Sequence, residues 1–406
     1  MSNFPLFSVM GIEIEYMLVD EDSLDVQAKS DVLLHELAQK PVNEVVLQDI
    51  ALSNELVLHV LEFKNHVPQT PETDIAAHFQ QAIDSVQSLL AKHHLKLLPS
   101  GAHPWMNPEH ETQRWPHGDS AIYKQYDSIF NCQGHGWSNL QSMHLNLPYS
   151  NEEEFAQLHA VTRLILPLIP ALAASSPILD GKPTGVLDSR LQFYEQNQKL
   201  IPEISGDIIP ESMNSETEYQ HHILEPMYAA IRPHDPEGLL QYPWLNSRGC
   251  IPKFDLQAIE IRIIDSQECV NADIAIAKAL FAILKHWQQQ ANYQQIQPCS
   301  TGALKQIFDQ TIRQGMNTRV DNREVLSQWQ LPQGVRSVRE IWSMLIEKIS
   351  SQLQHKEQRA LEIILSEGNL SERLLKAIGS NCNRQRLQAI YSQLAHSLLT
   401  NQQFVP

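Results

Sequence analysis

Four short segments of this chain alternate apolar with polar residues, and the polar row of each carries groups that are costly to bury. The first reads Gly11-Ile-Glu-Ile-Glu-Tyr-Met-Leu-Val-Asp20. In an extended chain successive side chains point to opposite faces. Ile12, Ile14, Tyr16 and Leu18 therefore share one face, and Glu13 and Glu15 the other. Same-face neighbours lie roughly 6.6–6.8 Å apart, close enough for two carboxylates to repel unless water or cations surround them. A solvated outer face and a cation site are both consistent with this strand alone.

The second segment lies within Glu55-Leu-Val-Leu-His-Val-Leu-Glu-Phe-Lys64. Leu58, Val60 and Glu62 share a face, an odd place for an unpaired carboxylate. Glu55 has the opposite parity, so it meets Glu62 only across a bulge or bend. In the third segment, Gln141 to Leu147, residues Met143, Leu145 and Leu147 face one way and Ser142, His144 and Asn146 the other. The fourth, Ala258 to Asp265, sets Ile259, Ile261 and Ile263 against Glu260 and Arg262. A surface ion pair of that kind contributes little. The alternative is a carboxylate holding a metal beside a guanidinium that grips phosphate oxygens.

Taken together, the four segments predict an α+β fold. Its mainly antiparallel sheet packs helices on one face. The other, polar face carries the active site, lined by Glu13, Glu15, Glu62, His144, Glu260 and Arg262. Oxygen-rich donors with one imidazole suit Mg²⁺ or Mn²⁺. Metal plus arginine suggests a phosphoryl group, whose oxygens both neutralise.

The rest of the chain fits around that frame. Its 406 residues allow two or three domains or one large one. We read residues 1–406 as a single catalytic unit. Residues 1–270 form the sheet-containing core, with an irregular, Pro- and Gly-rich insertion at 197–250, and 271–406 are mainly helical. A helix is expected to begin near Asn151, and Ser337-Val-Arg-Glu340 reads as a capping box. Long irregular segments often serve as lids, the role expected for 197–250. Acids number 47 and Lys plus Arg 30, a net charge of −17 that disfavours nucleic acid and anionic membranes as partners. The apolar run Leu164 to Leu179 is too short to span a bilayer and contains three prolines. Five cysteines without a CxxC pair point to a reducing, cytoplasmic setting rather than a disulfide scaffold. The histidines His103, His110, His117 and His135 fit no short zinc motif, although His103 could face the site.

The segments GIEIEYMLVD, ELVLHVLEFKN, GAHPW, QSMHLNLP, ALAASSPILDG with DSR ending at Arg190, and AIEIRIID follow one another in order through the first two-thirds of the chain. In this ordered set the sequence resembles the glutamate–cysteine ligases and related carboxylate–amine ligases, whose sheet is akin to that of glutamine synthetase. The resemblance implies an ATP-dependent ligase. It would phosphorylate the γ-carboxylate of glutamate, or a similar acid, and pass the acyl group to an amine such as cysteine. It also implies that Glu13, Glu15, Glu55, Glu62, His144 and Glu260 hold Mg²⁺, and that Arg262 grips phosphate and acts with Glu260 in catalysis. Arg190 would contact phosphate or substrate carboxylate, and Arg232 and Arg248 are candidate substrate arginines. The family often has a histidine where this chain has Ser142. A ligase with another amine or carboxylate, a metal-dependent hydrolase on the same acids, and a non-catalytic binding protein are the competing readings.

Overall fold

A computed structural model describes residues 4–118, 120–289 and 299–406. Its centre is a sheet of eight strands: β1 (Gly11–Asp20), β2 (Glu44–Leu47), β3 (Ile50–Asn54), β4 (Val60–Asn65), β5 (Leu95–Leu98), β6 (Ser142–Pro148), β7 (Cys250–Lys253) and β8 (Ala258–Asp265). Every pairing is antiparallel, in the order β2-β3-β4-β1-β6-β8-β7, with β5 on β1. Met17 is paired with Val60 of β4 and Leu98 of β5 at once, so β5 lies on the same side of β1 as β6. The sheet's seam there falls beside Glu15 and Tyr16, between the β6 pairing at Gly11–Ile14 and the β5 pairing at Met17–Asp20.

The alternation read from the sequence sorts the two faces. Ile12, Ile14, Tyr16, Leu61, Phe63, Met143, Leu145 and Ile261 are buried in one hydrophobic cluster. The helices Ile75–Lys92, Glu152–Ile165 and Val270–Gln289 contribute their apolar faces to the same cluster. It extends from Phe7 to Leu398, so helices after residue 270 share it with the sheet. Burying a Leu- or Ile-sized side chain there stabilises by about 1.5–3 kcal/mol. The helix starts are also as expected. Asn151 accepts from the Glu154 amide at 3.0 Å, and Ser337 and Glu340 form the reciprocal capping box.

Two strands depart from simple alternation. The segment Glu55–Lys64 is not one strand: β3 ends at Asn54, residues 55–59 turn, and β4 begins at Val60. The break required by the opposite parities of Glu55 and Glu62 is thus a full hairpin connection. In β8 the register slips after Ile261, with Ile261 opposite Leu145 and Ile264 opposite Met143. This bulge sets Ile264 opposite Met143, while Ile263 stays buried in the same core cluster, as its place on the apolar face requires. It also brings Asp265 opposite Ser142, onto the polar side.

The 197–250 segment is less of a lid than its composition suggested. Its short helical turns bury Ile204, Tyr219, Leu224, Met227, Ile231 and Leu245, and Ile209 is buried between them, so these residues make the segment a wall of the core.

Candidate active site

The polar face of the sheet forms the floor of a cleft of about 600 Å³. Pairing register decides which acids meet. Glu13 lies opposite His144 across β1 and β6, Glu15 opposite Glu62 across β1 and β4, and Glu260 opposite Asn146 across β8 and β6. All of these except Asn146 line the cleft, together with Glu55, Arg190 and Arg262. The donor atoms of Glu13, His144 and Glu260 lie within 4.8 Å of one another, the spacing of ligands around one cation. Glu15, Glu55 and Glu62 stand beside this triad.

Glu13, Glu15 and Glu62 are each held by named partners. Glu13 Oε2 meets His144 Nδ1 at 3.0 Å, and its Oε1 accepts from Asn146 at 3.1 Å. Burial pushes the Glu13 carboxyl upward, but the His144 hydrogen bond and the Lys253 charge outweigh it and hold the group well below the usual carboxylate range. His144 is moved up, because the Glu13 hydrogen bond and the charges of Glu260, Glu13 and Glu15 exceed the opposing effect of burial. Glu15 accepts from the Ser142 amide at 2.7 Å and from its hydroxyl at 3.2 Å. Ser142 Oγ also reaches His144 Nε2 at 3.0 Å. Glu62 accepts from Ser53 Oγ at 2.6 Å and pairs with Lys64 at 3.2 Å. Burial first, then the Glu13 charge, raises the Glu62 carboxyl. Glu55 is raised further, by burial and by the charges of Glu62, Glu15 and Glu13.

A face that crowds carboxylates until two of them resist ionisation is short of positive charge. The donors present, carboxylate oxygens and one imidazole, are those that Mg²⁺ or Mn²⁺ accepts. The residues therefore fit a divalent cation. In the protein alone part of the charge is met by lysine. Lys253 of β7 bridges Glu260 and Glu13, 3.7 Å from Glu13 Oε1. The fully buried Glu260 is also met by Arg262 Nη2 at 3.0 Å. Arg262 Nη1 donates to the Asn246 carbonyl at 3.2 Å, which fixes the fork over the cleft.

Arg190 is anchored from behind. Its Nε donates to Asp265 Oδ1 at 2.5 Å, and Asp265 Oδ2 accepts from the Ser175 amide and the Ser176 hydroxyl, each at 2.8 Å. Its Nη2 has no hydrogen-bond partner among the described residues. A Cβ on Gly101 would fall 2.5 Å from the Asp265 carboxylate, so this close approach requires glycine.

Other expectations need correction. Arg248 does not line the cleft: its Nε and Nη2 grip Glu211 at 2.6 and 2.8 Å, and Nη1 donates to the Glu203 carbonyl at 3.2 Å. It braces the 197–250 wall. Arg232 is exposed in the turn Arg232–His234, also outside the cleft. His103 is buried away from the cleft, with Nε2 on the Leu24 carbonyl at 2.8 Å. Lys64 and Lys253 were not anticipated. Lys64 stands two residues after Glu62 on the same strand face and could have been found by parity, whereas β7 has no alternation that would single out Lys253. The aromatic wall of Tyr123, Tyr126, Trp137, Tyr194 and Trp244 was also missed.

An open antiparallel sheet with metal-spaced acids and an arginine over them is the frame of a carboxylate–amine ligase. Comparison makes the assignment particular. The chain belongs to glutamate–cysteine ligase family 2 (GCS2), whose family model matches residues 9–393. An uncharacterized protein of Archaeoglobus fulgidus is 30% identical over 400 residues, 98% of this chain and 100% of its own. A putative glutamate–cysteine ligase 2 of Herpetosiphon aurantiacus is 23% identical over 283 residues, 69% of this chain and 65% of that relative. Among solved structures, the glutamate–cysteine ligase of Francisella tularensis in complex with AMP superposes with a TM-score of 0.59 at 12% identity, covering 98% of this chain and 90% of that one. A bifunctional glutathione synthetase from Pasteurella multocida gives 0.56, also at 12% identity, over 95% of this chain and 52% of that one. These structures share the α+β fold with its antiparallel sheet.

Proposed function

We infer that the protein is an ATP-dependent ligase that activates the γ-carboxylate of glutamate, or of a similar acid, and joins it to an amine. Cysteine is the first acceptor to test. The observation that carries this reading is the placement of Arg262 beside Glu260, itself within cation distance of Glu13 and His144. Simple hydrolysis does not call for a guanidinium there; transfer of a phosphoryl group does. The AMP bound to the Francisella protein supports a nucleotide in this cleft.

Glu13, His144 and Glu260 would hold Mg²⁺ or Mn²⁺, with Glu15, Glu55 and Glu62 beside them, and the metal would offset phosphate charge. The protein's own cations share that task. Arg262 and Lys253 face the transferring group, and Arg190, held by Asp265, presents a free nitrogen to a substrate carboxylate or phosphate. An oxygen of the substrate carboxylate attacks the γ-phosphorus of ATP and ADP leaves. The amine then attacks the acyl carbon, phosphate departs, and the amine loses its proton. The walls of residues 197–250 and the aromatic rim exclude water from the acyl phosphate. Five free cysteines and the use of ATP support a cytoplasmic setting.

Hydroxylamine tests the intermediate. With ATP, Mg²⁺ and glutamate it should be converted to the hydroxamate, and omission of any one should abolish the product. Hydroxamate made without ATP would replace this reading with hydrolase-type acyl transfer.

A further inference from the structure

The helix Ser120–Phe130 has no fully buried residue. Yet Ile122, Tyr123, Tyr126, Ile129 and Phe130 recur at helical spacing and make an apolar stripe. A surface helix ordinarily closes such a stripe on the core. This one packs its stripe against the core only in part, and four of the five residues also line two hollows. Tyr123 and Tyr126 line the acidic cleft, and Ile129 and Phe130 line a second hollow of about 620 Å³ outside it. Gly136, Trp137 and Asn197 border both. The Trp137 ring lies 5.4 Å from Tyr126 and 5.7 Å from Phe130, linking the two spaces by one aromatic wall. A Cβ on Gly136 would fall 1.8 Å from Asn197 Oδ1, so these two bordering residues meet with no side chain on Gly136 between them.

The rim is apolar as well. Phe193, Tyr242 and Trp244 are the three exposed aromatic residues among the described ones, and all stand here. Phe193 lies in the outer hollow, Trp244 in the cleft wall, and Tyr242 is stacked on Trp244. Leu200, 57% exposed, completes the outer edge. Scattered exposed apolar residues mean little, but a contiguous group beside a reaction site marks a binding surface. The outer hollow has no carboxylate in its lining. Several of its polar groups are already paired, His135 with Asp180 and Asn139, and Asn197 with the Gly136 carbonyl. Gln196 and Lys199 are exposed.

From this we propose that the acceptor amine carries an uncharged, ring-sized apolar substituent, which lies in the outer hollow against Phe130, Trp137, Phe193 and Leu200 while the amino group reaches the acidic cleft. The inference rests on the ligase reading and names the substrate class for it. The paired and exposed groups leave Gln192 as a half-buried polar side chain in the lining, and such a wall suits a hydrocarbon ring better than a purine, whose edge needs several hydrogen-bond partners. The side chain of cysteine would leave the hollow empty.

Binding separates these possibilities without turnover. The full chain, loaded with Mn²⁺, a non-hydrolysable ATP analogue and glutamate, is titrated calorimetrically with phenethylamine and with ethylamine. The ring-bearing amine should bind about tenfold or more tightly, as expected for burying a phenyl group. Leu200→Glu and Phe193→Glu, both at exposed positions, should each remove most of that advantage and leave the affinity for the ATP analogue unchanged. Equal affinities in the natural protein, or an advantage that survives both substitutions, overturns the proposal. A loss of nucleotide affinity in the variants assigns the hollow to the purine and also overturns it. Failure of the ligase reading shows separately, as absence of the hydroxamate.

Discussion

At the scale of single residues, the fork of Arg262 does two things at once: one nitrogen meets Glu260 and the other is pinned to the Asn246 carbonyl. Lysine offers one point of charge and cannot hold both. Arg262→Lys should therefore keep the fold but lower turnover by about 10²-fold or more, roughly 2.7 kcal/mol of transition-state stabilisation. Steady-state kinetics beside a melting curve decide it, since a surface ion pair would leave turnover near normal. Buried histidines govern a second expectation. Burial pushes His59 down to about 4, and His103 and His159 to about 3, so all three stay neutral in the folded protein. Unfolded histidine titrates near 6.5, so below that pH the unfolded chain binds more protons than the folded one. Stability is then complete above about pH 6.5 and falls as pH drops toward 4 and 3. Neither nitrogen of His159 has a hydrogen-bond partner among the described residues, and its ring lies 5.7 Å from both Phe155 and Tyr219. His159→Phe should raise the melting temperature and flatten the acid limb; an unchanged pH profile would count against this account.

At the scale of elements, the helix Ser120–Phe130 is a lightly buried piece of the cleft, since no residue of it is fully buried. Its amides should exchange with solvent faster than those of β1 and slow when Mg·ATP and glutamate bind. Equal exchange with and without ligands would show that the helix takes no part in binding. The elements also mark what the sequence could disclose. The polar faces of β1 and β6 were legible because one side of each strand is buried and period-two alternation follows directly. The bulge in β8 was not, because slippage is a property of a strand pair, and it decided where Asp265 points. Arg232 and Arg248 were misjudged for a related reason. An arginine's role depends on its partner, and Glu211, which holds Arg248, lies 37 residues away. The half-buried aromatics of the Ser120–Phe130 stripe look in sequence like any core-facing face.

At the scale of the whole molecule, an excess of 17 negative charges is gathered partly onto one sheet face. A divalent cation bound there favours the folded state by about 2.7 kcal/mol when present at 100 times its dissociation constant. Mn²⁺ should accordingly raise the melting temperature more than sodium chloride of equal ionic strength, and a chelator should reverse the gain. Glu13→Gln should shrink the metal-induced rise, because it takes one charged donor from the triad. An equal response to both salts would indicate screening alone.

The strand order has a consequence for the history of each molecule. The contact between Glu13 and His144 spans 131 residues, and that between Ser266 and the carbonyl of Glu15 spans 251. Closing such long loops costs entropy before any contact repays it, so the face assembles late. A nascent chain that has emerged only through β1 and β4 carries Glu13, Glu15 and Glu62 but lacks both His144 and Glu260. It has no native triad in which to trap a metal. Cation capture at the triad is thus a sign that β1, β6 and β8 have come together, unlike small metal-nucleated domains, where it is the event that starts folding.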